Sequence, residues 1–323
     1  APELVPQERE EDDARMNEGL VARAFRYGWF PLVVCGSVGI AYSAIASGTR
    51  PEAIAGLVPL VLIPISLGLE FVFPETPRWR IDGREAFADV LHMFLSNSLP
   101  MALLQAVFFG SVVALSSATS GALGFGLWPR AWPLWAQAGL VVLVAEFLNY
   151  WIHRGYHESR LWPLHAVHHC SPRMYFLLSA RKHPLQSLLT YGGRLLPLWF
   201  LGAPADALAI YTVLISSNSY LQHTNLRMTT GPLGWVLATP ELHRRHHSRR
   251  IEEHNSNYGD SLILWDRLFG TYRAPRPARP LHVRLGLPAI EVPQTYWQHF
   301  VLPFAWRRIH AERGVDTRTT AAP

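Results

Sequence analysis

The chain has 323 residues, of which 49% are hydrophobic and only 16% are charged, whereas an ordinary soluble domain is roughly 25% charged. This composition is typical of a membrane protein, and two cysteines are too few for a disulfide framework. The formal net charge of +5 comes without a basic patch interleaved with exposed aromatic residues, which argues against nucleic-acid binding.

Residues 1–28 are rich in charged side chains, and we predict that they form an N-terminal cytoplasmic segment. Four predominantly apolar stretches with at most one charged residue each follow, and each is long enough to supply the ~20 apolar residues that a spanning helix needs. These stretches lie roughly at 29–48, at 54–73, within 91–117 and at 134–152. We therefore expect the transmembrane helices to occupy 29–152.

Arginine is concentrated in alternate loops between these stretches. Residues 1–28 contain four arginines and 74–90 contain three, whereas 49–53 and 118–133 contain one each. Basic loops face the cytoplasm. This distribution predicts an integral, polytopic protein with both termini in the cytoplasm, in a bacterial inner membrane or an ER-like membrane.

The second half of the chain, over 153–311, is predicted to form a cytoplasmic catalytic cap that works as one unit with the membrane part. Two short apolar runs predict a hairpin near 188–222, shallow in the membrane and part of a lipid-facing entrance. Residues 295–309 have an amphipathic pattern, which fits either a segment lying on the membrane or a helix packed on the cap. Residues 312–323 are small and polar, and we expect a disordered tail.

Eleven of the fifteen histidines fall between residues 153 and 254, and eight of them form three clusters with helical spacing. The clusters are His153-x3-His157, His165-x2-His168-His169 and His243-x2-His246-His247. Residues i, i+3 and i+4 share one helix face, so each cluster can present several imidazoles to a metal. His183 and His223 are further candidate ligands, whereas His254 is expected at the surface or beside the site.

Eight to ten imidazoles at one place suggest two metal ions, because a structural zinc ion takes only four ligands. An all-imidazole site suits iron, zinc, copper or nickel. A histidine cage beside a membrane favours two iron ions and oxygen chemistry, although spacing alone excludes neither zinc nor manganese. No protein acid or base is required. Candidates for hydrogen bonding to the ligands are Glu146, Asn149, Glu158 and Asn225.

The ordered motifs HRGYH, HAVHH, RKHP, LQHTN, HRRHH, NYG and WDRLFGTY resemble the fatty acid hydroxylase, or sterol desaturase, superfamily over about residues 140–273. Locally they look most like sterol C-5 desaturase-like proteins and alkylglycerol monooxygenase, a branch whose bacterial relatives include ornithine-lipid hydroxylases. The resemblance implies an all-α, polytopic membrane bundle with a histidine-rich cytoplasmic cap that holds a diiron site. It implies that the eight clustered histidines ligate the metals and that His223 is a further ligand. His183 aligns with an HP motif of sterol-oxidising members, whereas the alkylglycerol enzyme looks to have glutamine there.

The resulting hypothesis is a membrane enzyme that uses O2 and two electrons to hydroxylate or desaturate a C–H bond of a sterol, fatty acyl chain, ether lipid or amino-lipid. A fused cytochrome b5 domain is not found, so we expect a separate ferredoxin-, cytochrome b5- or pterin-like electron donor. One alternative is a non-catalytic protein that binds or transports metal, although a transporter places its ligands inside its spans. A zinc-dependent hydrolase would need a carboxylate base near the metal, and no such spacing stands out.

Overall fold

The computed structural model describes residues 19–274, 284–288 and 290–314. These residues form α-helices and short 3₁₀ turns without a β-strand, which confirms the predicted all-α class. The helices are α1 (Leu20–Ala46), α2 (Pro51–Val72), α3 (Gly83–Leu123), α4 (Leu134–His157), α5 (Trp162–His169), α6 (Pro184–Leu201), α7 (Ala205–His223), α8 (Pro240–His246), α9 (Ile251–His254), α10 (Leu264–Leu268) and α11 (Tyr296–Glu312).

Helices α1 to α4 are long and apolar enough to cross a membrane, as the four apolar stretches predict. Their ends differ from the sequence estimate because charged residues do not stop a helix. Helix α1 starts well before residue 29 and includes Arg23 and Arg26, and α3 runs for 41 residues. Within α3 the backbone has two π-helical segments, His92–Ser98 and Gln105–Phe109, which widen the helix locally.

The apolar hairpin consists of two full helices, α6 and α7, of 18 and 19 residues. Gly202 ends α6 with a φ of +80°, a conformation that glycine adopts without steric cost. Helix α7 packs in the middle of the bundle against α1, α2 and α4, where small side chains such as Ala145 and Ala207 let the backbones approach. The apolar runs look short in the sequence because buried polar residues such as Arg194 and Asn218 interrupt them.

The cap is built from α5 and α8 to α11. Helix α11 packs on α5, where Leu302 and Trp306 join the buried cluster around Trp162. Of the two readings of this amphipathic segment, the packed helix is therefore what the structure has, while Trp297 and Phe304 stay exposed on its outer side. The predicted disordered tail lies outside the described residues from 315 onward, and most of the predicted N-terminal segment lies outside them up to residue 18.

Candidate dimetal site

Four helices bring nine histidines to one buried region at the end of the bundle. Helix α4 continues without a break from its apolar part into His153 and His157. Helix α5 contributes three histidines from its last turns, and α7 ends at His223. Helix α8 starts at Pro240, a residue suited to a first helical turn, and contributes His243 and His246, with His247 directly after its end.

The nine side chains form two groups. Within each group, one possible ligand atom from every residue lies within 4.8 Å of those from all the others. The first group contains His153, His157, His165, His169 and His246. The second group contains His168, His223, His243 and His247. The three sequence clusters do not map onto one metal each, because α5 and α8 each supply histidines to both groups.

The distances inside each group fit a shared metal ion. In the first group the Nε2 atoms are 2.9 Å apart for His153 and His165, 3.0 Å for His153 and His246, and 3.2 Å for His165 and His169. In the second group they are 3.1 Å apart for His168 and His223, 2.9 Å for His223 and His243, and 3.0 Å for His243 and His247. Two nitrogens bonded at right angles to one metal at about 2.1 Å would lie about 3 Å apart.

Backbone carbonyl groups hold several rings in one orientation. The Nδ1 atom of His153 lies 2.7 Å from the Tyr258 carbonyl oxygen, and that of His246 lies 2.8 Å from the Ser256 carbonyl oxygen. Similar contacts join His168 to Arg181 at 3.0 Å and His223 to Ser219 at 2.8 Å. When Nδ1–H donates to a carbonyl, the Nε2 lone pair is left free for a metal. The Nε2 atom of His157 is buried and has no hydrogen-bond partner among the described residues, as a ligand atom would require.

Burial keeps the cap histidines neutral. It lowers the pKa well below the ordinary value for an imidazole, and repulsion between neighbouring rings lowers it further. This applies to His165, His168, His169, His243, His246 and His247. Neutral imidazoles bind metal without first releasing a proton, so the donor set suits divalent iron at neutral pH.

The loop after α9 supplies two of the orienting carbonyls, those of Ser256 and Tyr258. The Asp266 carboxylate accepts hydrogen bonds from the backbone N–H groups of Tyr258 and Gly259, both at 2.7 Å. A Cβ atom on Gly259 would lie 2.2 Å from the Leu262 carbonyl oxygen, so only glycine fits there. The NYG and WDRLFG segments thus close one turn that places the Tyr258 carbonyl against His153.

The four residues expected to hydrogen-bond to the ligands have other partners. Glu146 accepts from the backbone of Leu262 and from the Tyr211 hydroxyl, so it ties α4 to the 260–262 loop and α7. Asn149 donates to Asp260 at 3.4 Å. Their place is taken by backbone carbonyl groups and by the side-chain amides of Asn255 and Gln186, which contact His157 and His165. Helical spacing does not reveal these partners.

Glu158 and Asn225 also lie away from the two groups. Glu158 accepts from the Arg154 side chain and the Tyr258 hydroxyl. The Asn225 amide donates to the Thr76 carbonyl, which ties the end of α7 to the loop after α2.

The structure separates His183 from the two groups and gives His254 one of the two places expected for it. His183 lies outside both groups, because its Nδ1 accepts from the Leu185 N–H at the start of α6 and its Nε2 contacts the Phe300 carbonyl oxygen. His254 is buried, with its ring centroid 4.7 Å from that of His169 and 4.5 Å from that of Trp162. It therefore lies beside the first group rather than at the surface.

A cavity of about 260 Å³ leads from the bundle to the histidines. Its apolar wall includes Ile63, Met101 and Ile215, from α2, α3 and α7. It adjoins a smaller pocket of about 50 Å³ that five of the clustered histidines line. Both spaces share the side chains of Lys182, Thr190, Ser219 and Asp260. The charged residues of this region, Lys182, Arg194 and Asp260, are not among the site residues predicted from the sequence. Two signals are visible there, since Lys182 is the only lysine of the chain and Arg194 lies inside an apolar run.

Comparison with known proteins gives consistent matches. Residues 138–271, which include all nine histidines, match the family model described as fatty acid hydroxylase. The chain is 31% identical over 261 residues to an ornithine lipid hydroxylase of Rhizobium tropici, a match covering 80% of this chain and 78% of that protein. It is 32% identical over 196 residues to an alkylglycerol monooxygenase of Xenopus tropicalis, covering 59% of this chain but only 41% of that protein. No solved structure gives a significant match.

Proposed function

Because the chain belongs to the fatty acid hydroxylase and sterol desaturase superfamily of lipid-modifying membrane oxygenases, we propose that it hydroxylates a C–H bond of a membrane lipid at a site for two iron ions. The observation that carries this proposal is the convergence of nine histidines into two groups. Two iron ions bound by these groups would supply the activation of O2. The relatives reported above are named as a hydroxylase and a monooxygenase, which favours hydroxylation over desaturation.

The reaction requires reducing equivalents. One atom of O2 enters the C–H bond to give an alcohol, and the other leaves as water after taking up two electrons and two protons. We propose that a separate ferredoxin-, cytochrome b5- or pterin-like donor supplies the electrons.

The protein's own residues position and shield the reaction. The neutral imidazoles hold the metals, and backbone carbonyls such as that of Tyr258 fix ring orientation. All the histidines of the two groups except His153 are buried, which keeps bulk water from the reactive site. The cavity between the bundle helices lets a lipid approach the histidines from the level of the membrane.

We propose an amino-lipid of the ornithine type as the substrate. The supporting observation is that the match to the ornithine lipid hydroxylase covers about four fifths of each chain, whereas the alkylglycerol monooxygenase is matched over less than half of its length.

The protein is an integral membrane protein, and we propose that its cap faces the cytoplasm. The arginine-rich loops lie on the same side as the cap, as the positive-inside rule requires. We further propose that 29–152 and 153–311 act as one unit, because α4 continues across the boundary between them.

Metal transport is not favoured as an alternative. The histidine groups lie where helices end, whereas a transporter binds its cargo near the middle of its spans. The similar proteins named above are also enzymes.

The test is metal content together with lipid analysis. Purified protein should contain about two irons per chain, and cells that produce it should accumulate a lipid carrying one extra oxygen atom. His168→Ala should lower iron content and abolish the product, whereas His310→Asn, on α11 away from both groups, should retain both. A single tightly bound zinc without O2 consumption would contradict the diiron assignment.

A further inference from the structure

The cavity beside the histidines contains charged side chains that the diiron site does not explain. Arg194 projects from α6 and is only 7% exposed. Its Nε and Nη1 atoms have no hydrogen-bond partner within the described part of the chain. The Asp260 carboxylate lies 3.6 Å from Nη1, beyond hydrogen-bond distance, and the Tyr211 ring centroid lies 5.6 Å from the guanidinium carbon. The guanidinium group is thus held in place, while its Nε and Nη1 donors have no acceptor among the described residues.

Lys182 lines both the large cavity and the pocket at the histidines. It is the single lysine among 29 basic residues of the chain. Its ammonium group is half-buried and makes no hydrogen bond or ion pair with residues 19–274, 284–288 or 290–314. Removing a cation from water without a full set of partners costs free energy. We therefore expect a ligand to supply the missing partners of Lys182 and Arg194.

The three charges lie where the two spaces join. Lys182 and Asp260 line both of them, and Arg194 lines the larger one. Two cations and one carboxylate match a head group with one acidic and one amino group. The acidic group can take the free donors of Arg194 and Lys182, as a charge-assisted hydrogen-bond acceptor does. The amino group can pair with Asp260.

We propose that Lys182, Arg194 and Asp260 bind the head group of a zwitterionic lipid and so determine which lipid is hydroxylated and where. This inference rests on the proposed function and goes beyond it. The acyl chains lie along the apolar wall formed by residues such as Ile63 and Met101, toward the membrane helices. The head group then lies next to the histidine pocket, so the C–H bond that reacts belongs to the head group or to the carbons directly bonded to it.

The proposal separates lipid classes that the superfamily leaves open. A neutral alkylglycerol would leave the Nε and Nη1 donors of Arg194 and the Lys182 ammonium group without an acidic partner, and a site built around polar partners rejects a ligand that lacks them. An amino-acid lipid with a free carboxylate and a phosphatidylethanolamine share the required chemistry, since each carries one acidic and one amino group.

The experiment compares binding and turnover for three lipids with iron-loaded full-length protein in nanodiscs, supplied with O2 and with reduced ferredoxin as the source of the two electrons. The probes are radiolabelled ornithine lipid, phosphatidylethanolamine and an alkylglycerol. We expect at least tenfold tighter binding of one zwitterionic lipid than of the alkylglycerol, and oxygen on its head group by fragment-ion mass spectrometry. Which zwitterion binds identifies the acidic group as carboxylate or phosphate.

Variants test the individual residues. Arg194→Gln and Lys182→Gln should each weaken binding of the zwitterionic lipid at least tenfold and raise KM more than they lower kcat. Asp260→Asn should act in the same direction. The control Arg160→Gln, at an exposed position between α4 and α5, should bind as the parent does. Lys182→Gln keeps the test informative if the buried Arg194 variant does not fold.

The outcomes distinguish this proposal from the proposed function. Equal binding of neutral and zwitterionic lipids, or variants that bind as the parent does, would overturn the head-group assignment while hydroxylation persisted. Iron-loaded protein that binds the zwitterionic lipid through these residues but oxidises none of the lipids would instead overturn the proposed function. Oxygen placed in the middle of an acyl chain would also refute the assignment.

Discussion

At the scale of single residues, hydrogen bonding distinguishes His246 from His183. The Nδ1 atom of His246 contacts the Ser256 carbonyl oxygen and its Nε2 atom faces that of His153, so the Nε2 lone pair is available to a metal. His183 has both nitrogens engaged by the backbone around the start of α6. Two residues of the same type therefore have different hydrogen-bonding environments, and spacing does not distinguish them.

The first prediction concerns His183. We expect His183→Asn to keep iron content and lipid turnover within about twofold of the parent. Asparagine also caps a helix N-terminus, so the free energy of unfolding should change by only a fraction of the ~1 kcal/mol that an N-cap contributes. Iron content measured by plasma emission spectroscopy checks this directly. The matched variant His246→Asn should lose iron and at least ~100-fold of the activity, given that even the partners of metal ligands contribute 10–100-fold. Iron loss in the His183 variant would return this residue to the ligand set.

At the scale of secondary structure, the decisive element is α4. Its apolar part and its first histidine pair belong to one uninterrupted helix of 24 residues. The helix fixes the rotation of His153 and His157 relative to the membrane span, because each residue turns an α-helix by about 100°. The span therefore determines the direction in which the pair points.

The second prediction follows from this rigidity. Insertion of one alanine after Trp151 should rotate His153 and His157 away from the first group, and iron content should fall while membrane insertion is unchanged. Fractionation and metal analysis of the same preparation measure both. As a control, one alanine inserted after Gly126, in the loop between α3 and α4, should leave iron in place. An α4 insertion that retains both irons would show that the helix adjusts locally and that this account of α4 is wrong.

At the scale of the whole molecule, a helical bundle that contains the partly apolar cavity is joined to a cap that contains most of the clustered histidines. Helix α7 links the two, since it packs between the spanning helices and ends at His223 in the second group. The cavity lies along the same helix, with Ile215 in its apolar wall and Ser219 at its junction with the histidine pocket. The proposed lipid entrance and the proposed metal site are consequently connected through one helix.

The third prediction concerns orientation across the membrane. With single cysteines at Thr49, Arg84 and Ala131, a membrane-impermeant maleimide added to intact cells should label positions 49 and 131 but not 84, because the basic loop stays in the cytoplasm. Labelling after lysis controls for accessibility. Labelling of position 84 in intact cells would invert the proposed orientation of the cap.

The sequence by itself determined the all-α class, the four spans and the eight clustered histidines, because hydropathy and helical spacing are local properties of the chain. The division of the histidines into groups of five and four depends on how α4, α5, α7 and α8 cross, and helical spacing within one segment carries no information about that crossing. The same reason explains why Lys182 and Arg194 could be recognised as neighbours of the distant Asp260 around one cavity only in the tertiary structure.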